Sequence, residues 1–154
     1  MANTQAMCTS FKVELLNGIH GFGAGGPAHA AADSFKAALY LTSATINAGA
    51  TVYTVTGEVS GTGYSAGGVD LTGSPDFIAP TAGATTTAYT TPTASIVYTT
   101  VTLTTAFNCV MIYNSTQSNK AVSVHTFGDQ TITAGTFTLT MPTNNETTGL
   151  IRIA

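Results

Sequence analysis

Charged side chains are scarce in this chain of 154 residues. Aspartate, glutamate, lysine and arginine make up 7% of it, whereas about a quarter is typical of globular domains. The formal net charge is -3 at pH 7, and no two of the four fixed cations are adjacent in the sequence. Because a phosphate backbone is bound by clustered lysine and arginine, the sequence predicts no nucleic acid among the partners of this protein.

Long apolar runs are missing as well. No run approaches the roughly eighteen residues that a membrane-spanning helix needs. The first residues also lack the charged segment and the apolar segment of a signal peptide. We therefore expect no membrane partner and a soluble protein made inside a cell.

Residues that could carry chemistry are few and show no motif spacing. His20, His29 and His125 lack the short intervals of metal-ligand pairs, so we expect solvated or lightly packed histidines. Cys8 and Cys109 form no C-x-x-C motif, which favours two buried free thiols over a disulfide. The seven carboxylates are scattered as Glu14, Asp33, Glu58, Asp70, Asp76, Asp129 and Glu146.

The local motifs of catalysis and nucleotide binding are also absent from the sequence. There is no G-x-S-x-G elbow. The glycine-rich segment 21–32 lacks the closing lysine of a phosphate-binding loop, and its composition favours a surface loop or flexible arm. We therefore predict no catalytic, cofactor-binding or metal-binding residues, and we predict that the protein is not an enzyme.

What the sequence does contain is a long segment of alternating side chains, from Ala94 to Asn114. Every second residue of a strand faces the same side of the sheet, and here the predicted core face holds Val97, Thr99, Val101, Leu103, Thr105, Phe107, Cys109, Met111 and Tyr113. The other face is polar up to Asn108 and then apolar, which predicts burial on both sides in the second half. Since strands rarely exceed about ten residues, we expect two strands or one strongly bent strand, with the break near Thr105 and Ala106.

One helix is predicted, from Thr4 to Asn17. Met7, Phe11 and Leu15 recur every four residues and would form its apolar stripe, while its charged residues fall outside that stripe. Gly18 can end the helix.

The remaining apolar segments predict further strands. They are 35–41, 52–59, 69–71, 76–79, 121–127, 136–141 and 150–153, with a turn at 128–129 and a long surface loop or a weak edge at 80–93. Short turns between strands, without intervening helices, are typical of antiparallel architectures. We predict an all-β fold over residues 1–154 as a single domain: an antiparallel β-sandwich or a jelly-roll-like barrel of about eight strands, with one N-terminal α-helix.

The low charge has a consequence for association. Sheet edges carry unpaired N–H and C=O groups and are usually protected by charges, prolines or bulges. Four cations and seven carboxylates are few for about eight strands. We therefore expect other subunits to cover some edges; the alternative is a monomer that is kept soluble by its threonine-rich faces.

Several stretches resemble one group of proteins. They are MANTQAMCTSFKVELLNGIHGF, ADSFKAALYLTSATINAGATVYTVTGEVSGTGYSAGG, MIYNST, SNKAV and the final IRIA. In this order they are similar to small virion structural proteins of tailed bacteriophages, of the capsid decoration or cement type, and the similarity is weakest between Asp76 and Pro92. The resemblance implies a homotrimer on the outer surface of the head, bound to the major capsid protein, in a virion assembled in the bacterial cytoplasm. It implies no catalytic or metal-binding residue.

Two other functions are compatible with the sequence. One is a neck or tail component, such as an adaptor or a fibre-associated protein. The other is a host glycan-binding module, in which Tyr53, Tyr64, Tyr89 and Tyr98 would stack on sugars. For the decoration protein, the predicted contact arms are the N-terminal helix and the loop from Gly21 to Gly26.

Overall fold

Two long strands form one antiparallel hairpin at the centre of the fold. They are β6, Ile96–Asn114, and β7, Lys120–Leu139. The computed structural model describes residues 2–23 and 29–154. The other elements are β1 (Ala6–Met7), α1 (Thr9–Leu16), β2 (Phe35–Leu41), β3 (Val69–Leu71), β4 (Thr81–Ala82), β5 (Ala88–Thr90) and β8 (Ile151–Ile153).

The strands form two antiparallel sheets. Five strands follow the order β1-β7-β6-β2-β3, and three follow the order β4-β5-β8. Neither sheet closes on itself within the described residues. Of the two predicted architectures, the structure is therefore consistent with the β-sandwich and not with the barrel. The prediction of an all-β antiparallel fold with one N-terminal helix is confirmed.

The β6–β7 hairpin is strongly bent. The rings of Phe127 and Phe137, both on β7, lie 5.4 Å apart, whereas a straight strand would separate these positions by about 33 Å. On β6, Leu103 pairs with Ile132 and Phe107 with Gln130, so the three residues between them on β6 oppose only one on β7. Such a bulge bends its strand. The predicted break near Thr105 and Ala106 is this bend, within a single strand.

A second bulge shifts the phase of the core-facing residues. The sequence placed Val97 and Thr99 towards the core, and this was wrong: Val97 is 38% exposed and Tyr98 is buried. Thr100 has a positive φ of 54°, and here the register with β7 slips by one residue. From Val101 onward the predicted face is buried at Leu103, Phe107, Cys109, Met111 and Tyr113, whereas Thr105 is exposed. The predicted burial of both faces in the second half of β6 is confirmed.

The helix is shorter than predicted. It begins at Thr9 because the preceding residues form β1, where Ala6 and Met7 pair with Val124 and Ser123 of β7. The backbone groups at the edge of β7 bond to residues 6–7, which the apolar repeat had assigned to a helix. Of the predicted stripe, Phe11 is fully buried, whereas the neighbouring Leu16 is 90% exposed.

Segment 52–59 is not a strand. It makes only isolated bridges, Val52 with Lys120 and Glu58 with Tyr40, and Val55 is exposed. Segment 76–79 likewise has one bridge, between Phe77 and Pro92. These segments were predicted from their apolar content, but their backbones form single bridges instead of a ladder with a neighbouring strand.

For segment 80–93 the sequence left open a long surface loop or a weak edge, and the structure has the short strands β4 and β5 there, with β4 at the edge of its sheet. The predicted turn at Gly128 and Asp129 lies inside β7, so the predicted strand 121–127 and residues 136–139 of the predicted strand 136–141 belong to one strand. Strands 35–41 and 69–71 are confirmed with the predicted bounds.

Candidate interaction surface

Strand β7 has a long open edge. On its outer side β1 pairs only with Ser123 and Val124. From His125 to Leu139 no described residue pairs with this side of the strand. The other outer strands of the two sheets, β1, β3, β4 and β8, are two or three residues long.

This open edge of β7 is almost without charge. Asp129 is the single charged residue between His125 and Leu139. Threonine, glycine and apolar residues make up most of the rest. Charged side chains are a common protection against pairing with another chain, and this edge has one.

A groove lies between α1 and β8. It has a volume of about 540 Å³. Its lining is apolar with two cations: Met7, Lys12, Leu15, Leu16, Arg152, Ile153 and Ala154. The groove therefore combines a site for apolar side chains with two positive charges.

The two cations of this groove have no acidic partner in the described part of the chain. Lys36 pairs with Asp70 at 3.1 Å, and Lys120 with Glu14 at 2.7 Å. Among the described residues, no carboxylate oxygen lies within 4.0 Å of the side-chain nitrogens of Lys12 or Arg152. Arg152 donates to the carbonyl oxygen of Thr147. Both unpaired fixed cations thus line one groove.

A buried polar network joins the helix to the end of the β6–β7 hairpin. Nε2 of His20 lies 2.9 Å from Oε2 of Glu14, whose Oε1 accepts from Lys120. The side-chain amide of Asn114 lies 2.9 Å from Nδ1 of His20 and 2.8 Å from Asp33. The sequence predicted a solvated or lightly packed His20, and this was wrong because His20 is buried.

The hydrogen bonds of this network fit a neutral His20. Nε2–H donates to Glu14, and Nδ1 accepts one amide hydrogen of Asn114, while the other goes to Asp33. Burial lowers the pKa of His20 and outweighs the hydrogen bond and charge of Glu14. Both ring nitrogens are occupied, so His20 positions α1 and has no free nitrogen for base catalysis.

The acidic members of the network are held ionised. Burial alone would raise the pKa of Glu14, but hydrogen bonds from Lys120 and His20 lower it. Burial also opposes ionisation of Asp33, and hydrogen bonds from the backbone N–H of Gly21 and from Asn114 lower its pKa nonetheless. Sequence reasoning missed this network because its members come from well-separated segments, and their spacing carries no motif.

A second polar cluster surrounds Glu58. Its carboxylate accepts hydrogen bonds from the hydroxyls of Tyr53 and Tyr64 and from the backbone N–H of Gly67. The ring of Tyr64 stacks on that of Tyr98 with centroids 6.0 Å apart. These tyrosines therefore pack and bond within the chain.

The tyrosines predicted as sugar-stacking platforms occupy different environments. Tyr98 is buried, and its hydroxyl donates to the carbonyl oxygen of Ala37. Tyr53 and Tyr64 are half-buried in the Glu58 cluster, and Tyr89 is a half-buried residue of β5. The structure does not bring the four rings together on one surface.

Both thiols are buried and free, as predicted. Burial raises the pKa of Cys8 to about 11 and that of Cys109 to about 12. Within residues 2–23 and 29–154, no group of three or more histidine, cysteine, aspartate or glutamate side chains is placed to hold a metal ion.

Of the two predicted contact arms, α1 lines the groove described above. The other, Gly21 to Gly26, extends into residues 24–28, which lie outside the described residues.

His125 supports a prediction about pH. Its Nε2 lies 2.9 Å from Oγ of Ser123, and burial lowers its pKa from 6.5 to about 4. The unfolded chain binds a proton near pH 6.5 and the folded chain does not, so stability falls as pH drops from 6.5 towards 4. This histidine alone should remove on the order of 3 kcal/mol from the free energy of unfolding, measured by urea denaturation at several pH values. The variant His125→Gln cannot take up this proton and should show a flatter profile; equal profiles for both proteins would contradict the prediction.

Comparison with known proteins gives no relative: no family model, no curated protein and no solved structure matches this chain. Among the described residues, no helix is long and apolar enough to cross a membrane.

Proposed function

We propose that this protein is a structural subunit of a virus particle: a bacteriophage capsid decoration protein that binds the outer surface of the head as a homotrimer and stabilises contacts between major capsid protein subunits. The observation that carries the proposal is the open edge of β7, with one charged residue from His125 to Leu139. The sequence resemblance to small virion proteins supports the same function.

The open edge favours a subunit over a free monomer for a physical reason. Each unpaired backbone N–H and C=O group on a strand edge can pair with another chain. An edge of this length with one charged residue can therefore associate with other chains, and a defined partner that covers it makes that association specific. In a trimer the edges are covered by neighbouring copies.

Binding to a shell also requires little area per subunit. A trimer that touches several capsid subunits at once makes its second and third contacts at high effective concentration. The overall affinity then exceeds that of each contact. A small domain with shallow grooves is sufficient for this kind of attachment.

The first test is the copy number in purified particles. A decoration protein at the three-fold positions of the head should be present in amounts comparable to the major capsid protein, measured by densitometry of separated virion proteins. A neck or tail component would instead be present in far fewer copies, as expected for a single ring. That low number, or absence from assembled heads, would overturn the proposal.

The second test concerns the open edge. A lysine in place of the exposed Thr131 on β7 adds the kind of charge that protects natural edges and should turn the trimer into a monomer, measured by light scattering during gel filtration. Thr56→Lys is the matched control, because Thr56 is also exposed but lies in segment 52–59, away from β7. Equal oligomeric states for both variants would show that the edge is not the contact.

A further inference from the structure

Charges of opposite sign without an ion-pair partner among the described residues lie at two places in this chain. Lys12 and Arg152 line the groove between α1 and β8. Asp129 is exposed on the open edge of β7 and forms no ion pair among the described residues. Its carboxylate accepts one hydrogen bond, from the side-chain amide of Asn108 at 3.0 Å.

The other carboxylates are already engaged within the chain. Glu14 and Asp70 pair with lysines, Asp33 and Glu58 belong to the two polar clusters, and Asp76 and Glu146 accept from the backbone N–H groups of Phe77 and Thr85. Asp129 is thus the one carboxylate that is exposed on a long strand edge and has no cation beside it.

We propose that the trimer is assembled head to tail, with the open edge of β7 of one copy docked against the groove of the next copy and Asp129 facing Lys12 and Arg152. This contact rests on the homotrimer proposed above and assigns its two faces. The groove and the edge are formed by different residues of the chain, so the interface is heterologous. A heterologous interface that closes produces a ring.

The geometry of the groove suits a strand edge. β8 is the last strand of the three-stranded sheet and has a free side within the described residues. Arg152 lies in this strand, so a β7 edge placed alongside it brings Asp129 to the cation. Phe127 and Ile132, near Asp129 on β7, are half-buried and pack against the core of their own chain, so the charges of Asp129, Lys12 and Arg152 carry the proposed contact.

Charge reversal tests this contact. Asp129→Lys alone, and Lys12→Glu with Arg152→Glu, should each weaken self-association about tenfold or more, since close interfacial charge pairs are strongly coupled. Combining all three substitutions restores opposite charges and should restore the trimer. Self-association is measured by sedimentation over a range of concentrations. Asp129→Asn is the control that keeps the hydrogen-bond acceptor for Asn108, and it should weaken association less than Asp129→Lys.

Each outcome separates this contact from the wider proposal. Rescue by the triple variant supports the contact. Trimers in every variant, or dissociation without rescue, would overturn the contact, while the copy number in particles would still decide the proposed function. A wild-type chain that stays monomeric at all concentrations would overturn the ring itself. Far-ultraviolet circular dichroism of each variant establishes that a lost trimer is not a lost fold.

Discussion

Replacing Gly68 with alanine should lower the free energy of unfolding by about 4 kcal/mol. Gly68 has a positive φ of 77°, and a Cβ at this position would lie 1.7 Å from the carbonyl oxygen of Ala37 and 2.7 Å from Cα of Ala38. These are backbone atoms of the central strand β2, which is bonded on both sides. They cannot rotate away as a side chain would, so the sheet itself has to shift.

Gly73→Ala is the matched control for that experiment. Gly73 has a φ of 75°, and nothing lies within 4 Å of the Cβ it would gain. It therefore carries the left-handed strain without the collision, and it should cost about 1 kcal/mol. Urea denaturation followed by circular dichroism measures both variants, since the chain has no tryptophan. Equal losses would show that the approach to Ala37 is not what requires glycine at residue 68.

Replacing Phe107 with alanine should have an effect of similar size, about 4 kcal/mol. The ring of Phe107 is fully buried and makes edge contacts with Phe127 at 6.0 Å and Phe137 at 5.0 Å. These two rings come from the two halves of the bent β7. Phe107 thus fills the space between the halves, and alanine would leave a cavity at the inside of the bend.

The control for Phe107 is Val97→Ala on the same strand. Val97 is on the outer side of β6 and partly exposed, so its truncation should change the free energy of unfolding by less than about 1 kcal/mol. Thermal or urea unfolding of both variants tests the difference. If Phe107→Ala were no more costly than Val97→Ala, the halves of the hairpin would not depend on this ring.

The strands that the sequence predicted best are those with regular alternation and a clear boundary. The strand from Phe35 to Leu41 ends at a turn and pairs along its length with β6, so local pattern and tertiary context agree. For β6 the sequence predicted two strands or one bent strand, because strands of that length are rare, and the structure shows the bent strand.

The register of β6 and the pairing of β1 depend on tertiary contacts, which the spacing of residues in the sequence does not reveal. The slip at Thr100 reverses the predicted facing of Val97 and Thr99, because one inserted residue puts the side chains before it and after it out of phase. Ala6 and Met7 have the spacing of a helix but pair with β7, whose edge offers backbone partners. The sequence of residues 6–7 does not show that β7 will pair with them.

The candidate interaction surface was also predicted only in part. The shortage of charge predicted that some strand edge would need covering, and this came from composition alone. Which edge is open depends on the register of β1 against Ser123 and Val124, and the groove depends on how α1 packs beside β8. Neither Lys12 nor Arg152 carries a sequence signal that distinguishes it from Lys36 or Lys120, whose acidic partners are found only in the folded chain.

The two buried cysteines make this protein convenient for locating individual copies in an assembly. The thiolate form of cysteine attacks maleimide reagents, and neither Cys8 nor Cys109 is accessible or readily ionised in the folded chain. A cysteine introduced at an exposed position such as Thr56 would then be the single reactive thiol. A gold cluster or a fluorophore attached there would mark every subunit at one known point, without first removing the native cysteines.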